Sequence, residues 1–457
     1  MDMYPVLILL VGVAVVITMI MLLRINAFFA LITAALVVSL MSPGENAEKI
    51  KRVADAFGVS AGGIGIVIAL AAVIGKCLMD SGAADRIVRA FTKALGEDRA
   101  PLALMGSGYV LSIPVFFDTV FYLLVPMARS LWRTKRKNYV LYTTAIVAGG
   151  AVTHSMVPPT PGPLAIADNL GVDLGLMILV GALVGLPMSL AGLGVCWWLN
   201  RWHDIPMRPY AGQTEARELD DKELPPLAIS LLPVVLPVLL IAANTAAVAL
   251  ADKNSAYGQS LLGITGILGN PNLALLISAI ISIALVVIYR GKSLTGMSES
   301  IEQALMGGGV IILITAAGGA FGKMLAAAGI QDTIKSLLGD TNTVTGMTVL
   351  LSAFGVASLM KFAQGSGTVS MTTTSAMFAA MGFSSGQLGF HMVYLAMAIG
   401  SGSLVGDWMN NSGFWVFSKM SVLTTAETLK TWTILTATLG LTGLAVTLLA
   451  AKLLPLV

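Results

Sequence analysis

The hydrophobic residues of this chain lie in long, nearly unbroken runs that are separated by short polar connections. A run of about 20 apolar residues is the length that an α-helix needs to cross a bilayer. About ten such runs occur, near residues 4–23, 26–42, 59–80, 139–152, 172–199, 226–250, 272–289, 303–328, 389–404 and 430–451. The pattern therefore predicts an all-α polytopic membrane protein.

Two other apolar stretches, residues 101–128 and 343–382, are interrupted near their middles by Gly, Pro, Asp, Lys or Gln. Non-helical backbone at membrane depth is tolerated only where it is buried in protein or lines a watery cavity. We therefore predict that each stretch forms a re-entrant hairpin, in which two helices meet at a break.

Two further breaks follow long apolar runs. The stretch from Pro158 to Pro163 contains four prolines, and each proline removes a backbone donor and clashes with the preceding helical turn. Residues 405–413 are interrupted in a similar way by Gly, Asp and Asn. We predict that the four breaks are unwound segments whose half-helix ends face a ligand, with bending for helix packing as the alternative.

The composition excludes a soluble protein, because 56% of the 457 residues are hydrophobic and only 11% are charged, whereas soluble proteins carry roughly a quarter charged residues. The two cysteines, Cys77 and Cys196, lie far apart inside apolar runs. We expect no disulfide framework and no metal site. The N-terminal run lacks a basic start and a cleavage site, so we interpret it as retained spans and not as a signal peptide.

The basic residues give an orientation, since Lys and Arg concentrate in the cytoplasmic loops of membrane proteins. The densest basic run, residues 129–137, is placed in the cytoplasm together with the hairpin at 101–128. Alternation of the spans then places the polar stretch 201–225 inside as a linker and both termini outside. Residues 83–97 have one apolar and one basic face, which suits an interfacial helix lying flat on the membrane.

The two halves of the chain resemble each other. The segment "GKCLMDSGAAD" at 75–85 aligns with "GKMLAAAGIQD" at 322–332, and similar matches follow at nearly constant offset. The basic loop at 129–137 corresponds to the uncharged loop at 378–386, so the two copies face opposite sides. We predict two inverted-topology repeats, with chance similarity between glycine-rich spans as the alternative. The first repeat covers residues 1–200 and contains the cytoplasmic-side hairpin. Residues 201–225 form the linker. The second repeat covers residues 226–457 and contains the periplasmic-side hairpin.

Charged residues inside the breaks are the strongest chemical signals, because a charge in hydrocarbon is costly and functional by default. Asp118 is the leading candidate for proton coupling, and a helix cap is its alternative role. Lys361, beside a helix that starts near Thr368, suits a carboxylate anion, unless its ammonium extends to the membrane surface. Asp407 and His154 are further proton-coupling candidates, and His154 could instead be structural.

Amides, hydroxyls and glycines crowd the breaks and suit a polyhydroxylated ligand. The candidate substrate-binding residues are Ser112, Thr119, Thr153, His154, Pro159, Thr160, Gly162, Lys361, Gln364, Gly365, Ser366, Thr368, Asn410, Asn411 and Ser412. We expect a small anionic organic acid and the lipid bilayer as partners, with no cofactor and no nucleic acid. A proton gradient is the expected driving force, and a sodium gradient remains open.

Three segments carry a family resemblance. The stretch "THSMVPPTPGPLAIA" resembles the T-H-G-x-x-P-P-H-P-G-P motif of the gluconate permease family, "GSGTVS" resembles its GSATVA, and "GSGSLVGDWMNNSGFWVF" is similar to its GSGS…N-D-P-G-F-W stretch. The resemblance implies the ion-transporter-superfamily fold, with inverted repeats, re-entrant hairpins, an elevator mechanism and a homodimer. It also implies proton-coupled import of gluconate or related sugar acids across a bacterial inner membrane.

Four departures from the family pattern put gluconate itself in question. Thr160 stands where the family has His, Asp118 where gluconate members have Glu, Lys361 where they have Arg, and Asn411-Ser412 in place of Asp-Pro. A lysine lacks the bidentate fork of arginine. Another small hydroxy acid or polar carboxylate is therefore a possible substrate.

Several functions compete at this point. The leading hypothesis is a secondary active transporter that imports gluconate or a related small hydroxylated monocarboxylate by proton symport. A sodium-coupled carboxylate transporter of the same superfamily is the alternative, since unwound carbonyls and hydroxyl clusters also suit sodium. A hydrolytic group of His154, Asp118 and Ser112 would be needed for an intramembrane enzyme, which the repeat disfavours, and a channel would pass current without accumulation. The hypothesis is therefore a transporter and not an enzyme.

Overall fold

The computed structural model describes residues 4–209, 220–251, 255–293, 295–329, 346–409 and 411–457, which form helices joined by short connections and contain no β-strand. The α-helices of these ranges are α1 (Tyr4–Ile17), α2 (Ala27–Met41), α3 (Asn46–Ser81), α4 (Ala83–Leu95), α5 (Ala100–Leu111), α6 (Phe117–Lys135), α7 (Tyr139–Met156), α8 (Pro161–Leu170), α9 (Leu174–Trp202), α10 (Leu227–Leu250), α11 (Ala256–Leu268), α12 (Pro271–Arg290), α13 (Ser298–Ala327), α14 (Gly346–Gln364), α15 (Gly367–Ala380), α16 (Ser385–Leu388), α17 (Met392–Gly402), α18 (Ser412–Met420), α19 (Thr425–Thr428) and α20 (Ile434–Leu453). The all-α prediction is confirmed.

Within the described residues, 7 helical stretches are long and apolar enough to cross a membrane. They are Asn46–Ser81, Tyr139–Leu170, Leu174–Trp202, Leu227–Val248, Pro271–Arg290, Thr295–Ala327 and Thr425–Leu453. Each overlaps one of the predicted spans. Asn46–Ser81 begins well before the predicted span 59–80, and Tyr139–Leu170 continues past the predicted span 139–152, across the break at 157–160, into α8. The other predicted spans, 4–23, 26–42 and 389–404, contain the shorter apolar helices α1, α2 and α17. Helix α1 continues as the π-helical turn Thr18–Leu22, and α17 stops at a break.

Each of the four predicted breaks separates two helices. The breaks are residues 112–116 between α5 and α6, 157–160 between α7 and α8, 365–366 between α14 and α15, and 403–411 between α17 and α18. A proline or a glycine of positive φ follows the end of the first three preceding helices within three residues, as Pro114, Pro158 and Gly365. In the fourth break the positive-φ glycine, Gly406, comes four residues after α17 ends. Residues 343–345 of the predicted second hairpin lie outside the described residues.

Helix α6 extends beyond the predicted end of the first hairpin at residue 128, as far as Lys135. Its last turn carries Arg133 and Lys135. Basic side chains at a helix C-terminus interact favourably with the partial negative charge there. The basic run is therefore partly the end of this helix and not only a loop.

The interpretation of residues 83–97 as a helix lying flat on the lipid is wrong for its apolar face. Ile87 and Val88 on α4 are buried inside the protein, where α4 packs against α5 and α10. On the polar face, an Arg89 nitrogen lies 2.6 Å from Asp221 Oδ1 in the linker. The Arg89 guanidinium holds the pKa of the Asp221 carboxyl below its usual range, because it donates a hydrogen bond to the charged form. Helix α4 thus connects the linker to the helical body, through its packing on α5 and α10 and its ion pair with Asp221.

Contacts between connecting segments gather at two ends of the molecule. At one end, Lys135 Nζ lies 3.2 Å from Asp98 Oδ1, and an Arg208 nitrogen lies 2.6 Å from Glu427 Oε1. All four residues belong to segments that alternation of the spans places in the cytoplasm. These contacts are consistent with the predicted alternation, and the assignment of this end to the cytoplasm stays a prediction.

The opposite end gathers segments that the same alternation places outside. The Thr245 hydroxyl donates to Asp173 Oδ1 at 2.8 Å, and the His391 backbone N–H donates to the Pro455 carbonyl at 2.8 Å. The helix breaks lie between the two ends, so the fold brings their polar residues together inside the helical body.

Candidate functional site

A cavity of about 570 Å³ lies where the helix breaks meet. This volume falls within the range of small-molecule sites. The lining residues are Phe116, Phe117, Asp118, Thr119, Ala151, His154, Ser155, Pro161, Ile311, Lys361, Gly365, Ser366, Gly367, Thr368, Met371, Ser403, Leu404, Asp407, Asn411, Ser412, Gly413 and Trp432. Residues in or beside each of the four breaks contribute to this wall.

A buried ion pair stands in the cavity wall. Lys361 lies in the last turn of α14, and its Nζ is 3.0 Å from Asp407 Oδ2. The two side chains are only 3% and 5% exposed. Lys361 Nζ also donates to the Gly365 carbonyl at 2.6 Å, across the adjacent break. The ammonium is thus directed into the protein and not towards the membrane surface, which contradicts the alternative interpretation of Lys361.

Asp407 is held on both carboxylate oxygens. The Asn411 amide nitrogen donates to Asp407 Oδ1 and to Oδ2, each at 2.8 Å. The Asn411 carbonyl oxygen in turn accepts from the Gly413 backbone N–H at 3.2 Å and so caps α18. The position of the Asp407 carboxylate is therefore tied to the start of a helix.

An aromatic stack joins the residues that directly follow Lys361 and Asp407 in the chain. The Phe362 and Trp408 rings have centroids 5.5 Å apart with an interplanar angle of 18°. Trp408 Nε1 donates to the Phe362 carbonyl at 3.1 Å. The end of α14 and the break after α17 are thus joined at two successive positions, by an ion pair and then by a stack.

Four helices start at the cavity, since Phe117, Pro161, Gly367 and Ser412 are the first residues of α6, α8, α15 and α18 and all line it. Unpaired N–H groups and the helix dipole give a helix N-terminus a partial positive charge. The Ser366 hydroxyl caps α15 by accepting from the Val369 N–H at 3.3 Å. Partial positive charges of several helix starts therefore converge on the cavity, beside the carboxylates of Asp118 and Asp407.

Asp118 lies in the first turn of α6 and lines the cavity. The residue at the cap position is Phe116, and no side chain makes a capping hydrogen bond there. The alternative role of Asp118 as the helix cap is therefore not observed.

Many of the predicted site residues are brought together by the fold. Those that line the cavity are Asp118, Thr119, His154, Lys361, Gly365, Ser366, Thr368, Asp407, Asn411 and Ser412. The Gln364 side chain and Asn410 lie outside the described residues. Helix α15 begins at Gly367, one residue before the predicted start.

Five other predicted residues lie away from the cavity wall. The hydroxyls of Thr153 and Thr160 donate to the backbone carbonyls of Gly149, at 3.3 Å, and Val157, at 2.6 Å. Side chains that bond back to their own turn leave no donor for a ligand. Pro159 lines a separate small apolar pocket.

Gly162 and Ser112 serve packing in this structure. A Cβ on Gly162 would come within 2.0 Å of the Met371 methyl group, so the glycine lets α8 and α15 approach. Ser112 is fully buried and faces Gly150. Because Ser112 does not line the cavity with His154 and Asp118, the described residues do not form the hydrolytic group that an enzyme would need.

His154 is half-buried in the wall, and its ring meets Phe116 edge-on with centroids 6.3 Å apart. Its Nδ1 has no hydrogen-bond partner in the part of the chain that the structure describes. A buried ring nitrogen without a partner is costly unless it serves a ligand. This geometry keeps His154 among the candidates for ligand contact.

Several lining residues were not among the predicted ones. Ile311 and Trp432 come from continuous helical segments, so no local break points to them. The Trp432 ring centroid lies 5.5 Å from that of Phe117 and 5.4 Å from that of Phe417. Phe117 and Trp432 form an apolar part of the wall, and Phe417 packs behind them. Ser403 could have been found, because it lies in the "GSGS" stretch of the last break.

The fold is one that a membrane transporter adopts. The structure of MtrF from Neisseria gonorrhoeae, from a class of antimetabolite efflux pumps, is similar with a TM-score of 0.66 and 14% sequence identity. The similarity covers 94% of this chain and 95% of that one. At this identity the likeness extends to the fold alone.

The particular family follows from the sequence. Residues 4–454 match the GntP family permeases, and the chain belongs to this family. The family resemblance of the three quoted segments is confirmed.

Two relatives cover almost the whole chain. The inner membrane permease YgbN of Escherichia coli is 30% identical over 450 residues, which is 96% of this chain and 96% of its own length. The gluconate permease of Pseudomonas aeruginosa is 32% identical over 430 residues, or 93% of each chain. The protein is therefore a multi-pass membrane transporter and not an enzyme, and the predicted location in a bacterial inner membrane agrees with these relatives.

Proposed function

We propose that this protein imports gluconate or a related small hydroxylated monocarboxylate by proton symport. The observation that carries the proposal is the buried ammonium of Lys361 in a cavity at which four helices start. An ammonium and helix N-termini together form a receptor for a carboxylate. Relatives that are named gluconate permeases support the sugar acid as substrate.

The substrate would lie with its carboxylate at Lys361 and its hydroxyls along the polar wall. Thr119, Ser366, Thr368 and Ser412 offer hydroxyls that both donate and accept. A polyhydroxylated chain needs such partners, because each of its own hydroxyls loses water on binding. Apolar Phe117 and Trp432 would cover the carbon chain.

The predicted inverted repeats are part of this proposal, and two structural correspondences support them. Helices α3 and α13 are followed by Gly82 and Gly329, which belong to the aligned segments and have φ of 80° and 79°. A Cβ on Gly149 would approach the Met105 carbonyl of the first hairpin, and a Cβ on Gly402 would approach the Phe354 carbonyl of the second. Each copy thus packs a glycine of its broken helix against the first arm of its hairpin.

We further propose that residues 1–200 and 226–457 act as the two repeats around the linker 201–225. Rigid-body movement of one part of the chain would then carry the cavity across the membrane, as an elevator in a homodimer. The break residues would move together, because the cavity wall is built from all of them.

The opposite orientation of the repeats can be tested by cysteine labelling. Thr134, in the last turn of α6, and Gly386, in the short helix α16, are exposed in the two corresponding segments 129–137 and 378–386. The native Cys77 and Cys196 are buried. In intact cells, an impermeant thiol reagent is expected to label Gly386→Cys and not Thr134→Cys. Permeabilised cells provide the control, in which both should react. Labelling of both in intact cells, or of Thr134→Cys alone, would refute the inverted arrangement.

Uptake by reconstituted vesicles tests the function itself. We expect labelled gluconate to accumulate when the outside is acidic, and the uptake to be unchanged when sodium is replaced by choline. A thermal-shift series of sugar acids on the purified protein supplies the ranking of substrates, since a ligand that binds only the folded state raises the apparent stability. Uptake that required sodium, or no thermal shift with any sugar acid, would refute the proposal.

A further inference from the structure

We propose that Asp407 binds the transported proton and that, until it does so, its carboxylate occupies Lys361 in place of the substrate carboxylate. This inference rests on the proposed function and names the group that couples the proton to the acid. It differs from the expectation drawn from the sequence, in which Asp118 led the proton-coupling candidates.

The geometry places an internal carboxylate where the substrate carboxylate is needed. Asp407 Oδ2 lies 3.0 Å from Lys361 Nζ, and both side chains are almost fully buried. The Asn411 amide holds both oxygens of Asp407 at 2.8 Å, so the carboxylate is positioned as a bound ligand would be. A substrate that reaches the ammonium must therefore compete with Asp407.

Charge decides how this competition ends. A carboxylate that loses its cation partner inside a buried site becomes an uncompensated charge, which is strongly unfavourable. Protonation of Asp407 removes that charge and leaves Lys361 available to an anion. One proton and one monocarboxylate enter together, so the net charge of the cavity stays the same. The requirement that Asp407 be protonated before Lys361 binds the substrate is enough to couple the proton to the acid.

Other titratable groups face the same cavity and must be considered as proton acceptors. They are Asp118 from α6, His154 from α7 and Lys361 itself from α14. Asp407 differs from Asp118 and His154 in making the direct 3.0 Å contact with the ammonium. It is thus the group whose protonation changes what Lys361 can bind.

A complete cycle balances in protons and charge. On the outer side, a proton from water adds to Asp407, its contact with Lys361 opens, and the substrate carboxylate takes the ammonium. On the inner side, the substrate leaves, Asp407 releases its proton to water, and the ion pair closes again. No group other than the proton and the acid is taken up or released.

Calorimetry of gluconate binding to the full-length protein tests the inference. Titrations in two buffers of different ionisation enthalpy give the number of protons taken up per gluconate bound. We expect about one proton for the wild-type protein, and an affinity that changes about tenfold per pH unit where Asp407 is ionised. For Asp407→Asn we expect close to zero protons and an affinity that does not depend on pH.

Asp118→Asn and His154→Gln are the matched variants, because each removes another titratable group of the same cavity. Both line the cavity and can change the affinity for gluconate, but each is expected to retain the uptake of about one proton per gluconate bound. Retained proton uptake in Asp407→Asn would overturn the inference. Loss of proton uptake in Asp118→Asn or His154→Gln would also overturn it. These two variants keep the test decisive if Asp407→Asn does not fold. A wild-type protein that binds no sugar acid would instead refute the proposed function.

Discussion

Replacement of Lys361 by alanine is expected to weaken gluconate binding by about 2 to 5 kcal/mol, the usual loss when one partner of a desolvated charge pair is truncated. This corresponds to a rise in Kd of roughly 30-fold to several thousandfold. The reason is that Lys361 Nζ is buried in the cavity wall and supplies the countercharge for a carboxylate. The measurement is the Kd of gluconate from calorimetry on the purified variant.

Two further variants separate loss of charge from loss of structure. Lys361→Arg keeps the charge and should weaken binding less than Lys361→Ala. Lys452→Ala removes an exposed lysine near the end of α20 and should leave the Kd unchanged. If Lys361→Ala binds gluconate as tightly as the wild-type protein, the substrate carboxylate is held elsewhere, and the helix start at Gly367 is the next site to test.

The positions of the breaks are predictable from the sequence because their causes are local. Four prolines between Pro158 and Pro163, and glycines on both sides of Ser366, strongly disfavour a continuous helix at these positions, because their effects are concentrated within a few residues. Charge is rare in the apolar runs, and this rarity singles out Asp118, Lys361 and Asp407 by residue type alone. Local chemistry therefore predicts the elements and most of the polar wall of the cavity.

Tertiary contacts account for what the sequence does not reveal. Asp407 and Lys361 are 46 positions apart in the chain, and nothing local to either residue indicates that they form a pair. Thr153 and Thr160 are of a type suited to a ligand, but their hydroxyls bond to backbone carbonyls of their own helix or turn. Composition does not show which way a hydroxyl points, since that depends on helix rotation and packing.

The shortness of α17 has a related cause. The apolar run at 389–404 has the composition of a span, yet the helix covers only Met392–Gly402 and the backbone is unwound from Ser403 onwards. Hydropathy cannot separate an apolar residue in a helix from one in an unwound segment. The boundary is therefore visible in the sequence only as a change in residue type.

The second large effect is expected for stability and concerns Gly149→Ala. A Cβ at this position in α7 would lie 1.9 Å from the Met105 carbonyl oxygen and 2.8 Å from the Tyr109 backbone nitrogen of α5. Both obstacles are backbone atoms, so no side-chain rotation relieves the clash, and α5 must move away from α7. Small residues permit such close approach between membrane helices. We expect a loss of about 3 kcal/mol, at the upper end of the usual cost of overpacking, seen as a lower melting temperature in detergent.

Gly194→Ala is the matched control, because it makes the same change in α9 where nothing lies within 4 Å of the added Cβ. Its melting temperature should stay equal or rise slightly, since alanine is the better helix former. Gly402→Ala should behave like Gly149→Ala, because its Cβ would come within 2.4 Å of the Phe354 carbonyl oxygen. If Gly149→Ala melts at the same temperature as Gly194→Ala, the first hairpin does not pack as closely on α7 as the structure has it. If only Gly402→Ala is tolerated, the two hairpins are not held in the same way, and the packing similarity that supports the repeat is lost.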